Sequence, residues 1–243
     1  MDRRLIVALL AGLLVACGSP PAEARRSPKK PVSYDTLRDR IDAKRQRLAG
    51  KLKRARTDAA RQQALRQARG VFEDAIVEQL APRWRGTHWA YAGTSQVPKE
   101  GAIACGYYVS TLLRDAGLKV ERVKLAQQAS ERIILSLTGE ANVKRFRNVS
   151  LGRFLEGVYG MGDGLYVVGL DYHVGLLFVA GGQGRFIHSS NVGCPSRSGG
   201  CVIDEPAGES LALKHSRYRV VGRISADDGL MRKWLRGKAV PTR

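Results

Sequence analysis

Between Gly164 and Ile224 the chain is cut into short runs rich in Val, Tyr and Ile: "LYVVGL", "HVGLLFVA", "RFIHSS", "CVID" and "RYRVVGRI". Runs of four to eight such residues are short for helices and suit a pleated, half-buried surface. The breaks between them carry glycine, as in "GGQG". Antiparallel strands joined by hairpins are therefore predicted for this half.

Upstream the period changes. From Tyr34 to about Gln79 there is no proline, and Leu37, Ile41, Leu48, Leu52, Ala55 and Ala59 recur at spacings of three, four and seven. The stripe resumes as Leu65, Ala68, Phe72 and Ile76. One or two amphipathic helices are predicted, breaking near Gly50 or Gly70 and ending at Pro82. Strict heptads do not persist, so the stripe is expected to pack on the domain or form a partly exposed stalk rather than a coiled coil.

Further helices are predicted from Cys105 to Gly117, with Val109, Leu112, Leu113 and Ala116 on one face, and over "SERIILSLTG" and "NVSLGRFLEGVYG". Helices first and strands afterwards give the α+β class. The expected organisation is residues 1–16 as a signal peptide and 17–33 as a polar, Pro-rich tether. A basic helical segment then covers 34–81, an α+β domain 82–230 and a basic tail 231–243.

The leader reads "MDRRLIVALLAGLLVACGS". Its apolar run, Leu5 to Ala16, is 12 residues, short of the roughly 20 that a spanning helix needs, so it reads as an export signal. Leu14-Val15-Ala16 before Cys17 resembles the lipobox of bacterial lipoproteins. That resemblance implies cleavage before Cys17 and its acylation, with the protein facing the periplasm from the outer membrane in preference to the inner one. An ordinary signal with a chance cysteine is the alternative.

Formal net charge is +19, a value that raises nucleic acid as a partner. Between Ala24 and Arg69, however, 16 Lys or Arg stand against four Asp, so +12 lies in one segment. An exported chain meets little nucleic acid. Lipid headgroups and acidic wall polymers are the expected counter-ions, or the charge is a solvated helix face.

Export also implies an oxidising compartment, where close cysteines bridge. Cys194 and Cys201 enclose the short loop "PSRSGG" and are expected to form a disulfide; a zinc site with a histidine is the competing reading. Cys105 is then the thiol left over. It lies in the first turn of its helix, where unpaired N–H groups favour a thiolate, or else it is a buried apolar residue. His173 and His188 stand on consecutive strands across the "GGQG" turn, where one could orient the other as a base. No metal and no cofactor is implied.

These residues carry a resemblance. Residues 86–190 resemble the NlpC-type cell-wall cysteine peptidases, a branch of the papain-like fold. "WAYAGTS" is similar to the family's approach to the nucleophile, "MGDGLYVV" to the strand before the base, and "HVGLLFVAGGQGRFIHSS" to the strands of the base. The resemblance implies a papain-like domain with Cys105 as nucleophile at a helix start packed on an antiparallel sheet. It also implies His173 as general base, His188 as the third polar residue, and peptide bonds of peptidoglycan stems as substrate.

Trp89, Tyr91 and Tyr107 are expected to bind that substrate, with one of Tyr107 and Tyr108 in the cleft and the other in the core. His173 is expected to hold Cys105 as a thiolate. The chain departs from the family pattern at Ala104, where an acidic residue is usual, and at Gly106-Tyr107, where Ser-Gly is usual. His88 is a candidate for lining the approach, Asp204 or Glu205 for orienting His173, and His215 is expected in solvent. A non-catalytic envelope lipoprotein and a hydrolase or acyltransferase with another substrate are the competing functions.

Overall fold

The computed structural model describes residues 32–195 and 199–243. The expected signal peptide, the lipid site Cys17 and nearly all of the tether lie outside the described residues. In chain order come α1 (Tyr34–Arg54), α2 (Asp58–Asp74), a π-helical segment (Ala75–Leu80), α3 (Ala81–Trp84), α4 (Cys105–Asp115), β1 (Lys119–Val120), α5 (Arg122–Ala126) and α6 (Ser130–Leu137). A 3-10 turn (Glu140–Asn142), β2 (Val143–Arg147), α7 (Leu151–Tyr159), β3 (Gly164–Leu170), β4 (Val174–Ala180), β5 (Gln183–Ser190) and β6 (Cys201–Pro206) follow. The chain then forms α8 (Leu211–His215), β7 (Tyr218–Arg223), α9 (Asp228–Arg236) and β8 (Ala239–Val240).

The protein is α+β. Strands β2-β7-β3-β4-β5-β6 form one antiparallel sheet in that order, and β1 pairs with β8 in parallel. All five strand runs read from the sequence lie in this sheet. β4 and β5 close on a two-residue turn, Gly181-Gly182, with positive φ at both positions, the backbone that matches strand twist. Central strand β3 is buried along its length. With a period of two, Leu165 and Val167 join one apolar cluster with residues of α1, α2, α4, α6 and α9. Tyr166 and Val168 join another with Phe154, Val158 and Leu213.

The basic N-terminal helices are part of the first core layer. Leu65, Ala68, Phe72 and Ile76 are fully buried there beside Leu112 and Trp234. The break between α1 and α2 falls at residues 55–57, not at Gly50 or Gly70. The Thr57 side chain accepts from the Ala60 N–H and starts a new helix, whereas a lone interior glycine costs only about 1 kcal/mol and does not force a break.

Pro82 does not end the helical run. It lies in α3, which follows directly on the π-helical segment and carries the helical run two residues further, to Trp84.

The expected basic tail is a further correction. Residues 231–243 hold most of α9 and all of β8, and Met231, Trp234 and Leu235 are buried in the core. The Trp234 Nε1–H donates to the Ala116 carbonyl at the C-terminal end of α4, 2.7 Å away. β2, read as part of a helical half, is an edge strand with Phe146 buried and Lys144, Arg145 and Arg147 turned out. Charges of this kind blunt an exposed edge.

Candidate active site

Cys105 is the first residue of α4 and the only free cysteine among the described residues. Ala104 before it is extended and gives the helix no side-chain cap, so the first-turn N–H groups are not taken up by a capping oxygen. The half-buried sulfur interacts with the backbone N–H groups of Val174, Gly106 and its own residue. Burial nevertheless outweighs these donors and pushes the thiol above its ordinary value. The helix start and burial thus act on this thiol in opposite directions: a dipole worth about a few tenths to 1 kcal/mol is the smaller effect beside the desolvation of a sulfur anion.

His173 immediately precedes β4, and His188 lies on β5. Their side chains meet: His173 Nε2 is 2.8 Å from His188 Nδ1. The register that pairs Leu176 with Ile187 brings Gly175 opposite His188. A Cβ on Gly175 would stand 2.6 Å from the Phe186 ring and 2.9 Å from the His188 Cβ. Only glycine leaves this space open, and the His188 ring reaches diagonally across it. Phe186 packs tilted against His188, with ring centroids 4.3 Å apart.

Burial, and for His173 also the neighbouring His188, pushes both imidazoles below their ordinary range, so both rest neutral. On the far side, His188 Nε2 is 3.1 Å from Glu205 Oε1.

Cys105 and His173 line one cavity of about 970 Å³. Trp89, Tyr91 and Tyr107 line it as well. Tyr108 is fully buried, so Tyr107 is the tyrosine that faces the cleft. Tyr172 and Leu211 add apolar surface, and His215, expected in solvent, is exposed but borders the same cavity. His88 is not among the lining residues; it bridges Ala102 and Cys201 through its backbone.

Asp171 lines the cavity too, with its carboxylate taken up by the Ser216 hydroxyl and the backbone N–H groups of Arg217 and Tyr218. Asp204 pairs with Arg85 and Arg185, away from the histidines. Cys194 and Cys201 form a disulfide with Cα atoms 5.5 Å apart. It closes the loop that follows Asn191 and Val192, both cavity residues. No cluster of three or more potential metal ligands occurs among the described residues.

Gly175 was not singled out from the sequence, and Gly106 was noted there only as a departure from the family pattern, not for its close packing. A glycine inside the strand run "HVGLLF" is the readable sign of a close approach; Gly106 packs against the backbone of Ala126, 20 residues on, and nothing local signals that contact. Arg122 holds that partner segment in place, donating to the Thr111 hydroxyl and to the carbonyls of Thr94 and Ser95 and lying over the Tyr107 ring at 4.9 Å.

No family model, curated protein or solved structure matches the chain.

Proposed function

We propose that this protein is a papain-like cysteine hydrolase that forms an acyl-enzyme on Cys105, and that its substrates are peptide bonds of peptidoglycan stems. The observation that carries the reading is the common cavity of Cys105 and His173, with the sulfur against the Val174 amide and His173 bonded to His188. The wall-peptide part rests on the resemblance of "HVGLLFVAGGQGRFIHSS" to the NlpC-type peptidases. The reading includes attachment to the cell envelope through lipid on Cys17, for which the support is the short apolar run and the small residues before that cysteine.

The chemistry follows from two neutral groups. As Sγ attacks the substrate carbonyl carbon, the thiol proton passes to His173 Nδ1, the ring nitrogen not bonded to His188. First-turn N–H groups of α4 receive the oxyanion. His173 returns the proton to the leaving amine as the C–N bond breaks. It then takes a proton from water, whose oxygen attacks the thioester carbon, and passes that proton to the sulfur as the C–S bond breaks, which releases the acid and restores the thiol and the neutral imidazole.

One observation favours a second substrate class. Tyr91 and Tyr172, which border the cavity, are 90% and 100% exposed, and an aromatic rim of this kind suits an apolar acyl ester or amide.

The experiment is digestion of purified muropeptides with wild-type protein and with Cys105→Ala, read by mass spectrometry of both products and protein. New stem fragments that depend on Cys105, with an acyl adduct on that residue, are expected. Turnover of p-nitrophenyl acyl esters without stem fragments would replace the wall substrate with the apolar one. No Cys105-dependent product from either would overturn the hydrolase.

A further inference from the structure

Behind the two histidines stands a carboxylate that the proposed reaction does not use directly. Glu205 lies on β6, beside the strand that carries His188, and its Oε1 is 3.1 Å from His188 Nε2. An ionised carboxylate only accepts hydrogen bonds, so His188 Nε2 must carry the hydrogen. A neutral imidazole has one N–H, so His188 Nδ1 is then a lone pair. That lone pair receives the hydrogen of His173 Nε2 across 2.8 Å. His173 Nδ1 is left bare, and a bare nitrogen is what a proton acceptor for the Cys105 thiol needs.

The local environment keeps this chain of bonds defined. His188 is 0% exposed, so in the intact protein its two ring nitrogens bond to these partners and not to bulk water. Glu205 is partly desolvated, but hydrogen bonds from His188 and Ser210 outweigh that and hold its carboxyl below the ordinary range. Without the carboxylate, both rings can invert together: His188 Nδ1–H would donate to His173 Nε2, and His173 Nδ1 would carry the hydrogen. The hydrogen bond between the rings would survive while the base is lost.

We propose that Glu205 is a positioning residue that sets the tautomers of His188 and His173 together, and so selects which nitrogen of His173 is free toward Cys105. This role rests on the hydrolase reading only for its consequence in turnover; the tautomers themselves do not depend on it. A purely structural role for Glu205 is the competing account, because Ser210 also caps α8, accepting from the Leu213 N–H.

The test is the nitrogen-15 spectrum of the histidine rings in the folded protein at neutral pH, for wild type, Glu205→Ala, Glu205→Gln and Ser210→Ala. Wild type is expected to show both histidines protonated at Nε2 and bare at Nδ1. Glu205→Ala is expected to mix or invert both tautomers while the folded spectrum persists. Glu205→Gln keeps the size and an acceptor but loses the charge, so it is expected to lower kcat by roughly 10–100-fold with little change in KM, less than the roughly 10²–10⁴-fold that general acid–base catalysis supplies in full. Ser210→Ala breaks the α8 link and is expected to leave the tautomers as they are.

Unchanged tautomers in a folded Glu205→Ala protein would overturn the proposal, as would a wild-type His188 protonated at Nδ1. If Glu205→Ala does not fold, Glu205→Leu, which keeps the bulk and removes the acceptor, decides: wild-type tautomers in that folded variant would overturn the proposal. Wild-type tautomers as expected, combined with no thiol-dependent turnover of any substrate, would leave this inference standing and remove the hydrolase reading instead.

Discussion

Gly106 and Ala126 touch backbone to backbone: a Cβ on the glycine would stand 2.3 Å from the alanine carbonyl oxygen. The NlpC-type pattern has serine at this position, and here α5 fills the space that a side chain would need. Gly106→Ser therefore should not be tolerated as a return to that pattern. It is expected to push α5 from α4, cost about 1–3 kcal/mol in denaturant unfolding and displace the neighbouring Cys105. Wild-type stability in that variant would show that α5 yields freely.

The protonation state of Cys105 can be read by alkylation. Burial raises the thiol, so at neutral pH iodoacetamide should label Cys105 more slowly than a small free thiol, with a rate that climbs through the ordinary thiol value of 9.0. A plateau already reached at pH 6 would mean a resting thiolate paired with imidazolium, contrary to the neutral pair described above. Mass spectrometry of the labelled protein over a pH series makes the measurement.

The buried histidines also give stability a pH dependence with a definite sign. Both are pushed below the ordinary value of 6.5, so the unfolded chain binds protons that the folded one refuses. Their contribution is complete above pH 6.5 and falls as pH drops toward the folded values, by up to about 1.4 kcal/mol per pH unit for each histidine. Urea unfolding between pH 7.5 and 5 is expected to show this loss before the carboxylates titrate. A flat profile over that interval would mean that the rings accept protons in place.

The Cys194–Cys201 bridge closes a loop with a sequence separation of 7. Loop-closure entropy for so short a ring amounts to about 2–3 kcal/mol. Replacing both cysteines by serine is expected to lower the unfolding free energy by that order. Because Asn191 and Val192 line the cavity, KM should rise more than kcat falls. A loss of kcat alone would place the effect on the catalytic groups instead.

The strands from Gly164 to Arg223 were legible because β-branched runs broken by glycine have no helical alternative, and the helix that begins at Cys105 was legible from its apolar face. The juxtaposition of His173 and His188 was readable too, since a tight turn fixes which residues of two strands lie near each other. β2 was not: one buried Phe146 among Lys144, Arg145 and Arg147 leaves too little alternation to see.

α9 was hidden differently. Leu230, Met231, Trp234 and Leu235 do follow a helical period, but Arg232, Lys233 and Arg236 between them make the stretch look like a basic tail. Glu205 was visible only as a conditional partner, because the pairing of β5 with β6 spans a loop whose closure no local pattern encodes. The burial of Cys105 was not legible for a related reason: the helix start is a local feature, whereas burial of the sulfur is contributed by segments far along the chain.

The position of Trp234 bears on how the chain matures. Its ring packs against Phe72 with centroids 5.2 Å apart, and its carbonyl receives the Arg45 guanidinium across 189 residues. The first core layer thus lacks a large piece until residues 228–236 exist. During synthesis at about 5–20 residues per second, α1 and α2 spend seconds as nascent segments with apolar faces uncovered. Folding of the N-terminal half is thereby coupled to the arrival of the last helix, and a ribosome-bound intermediate stopped before residue 228 is expected to remain open to proteases.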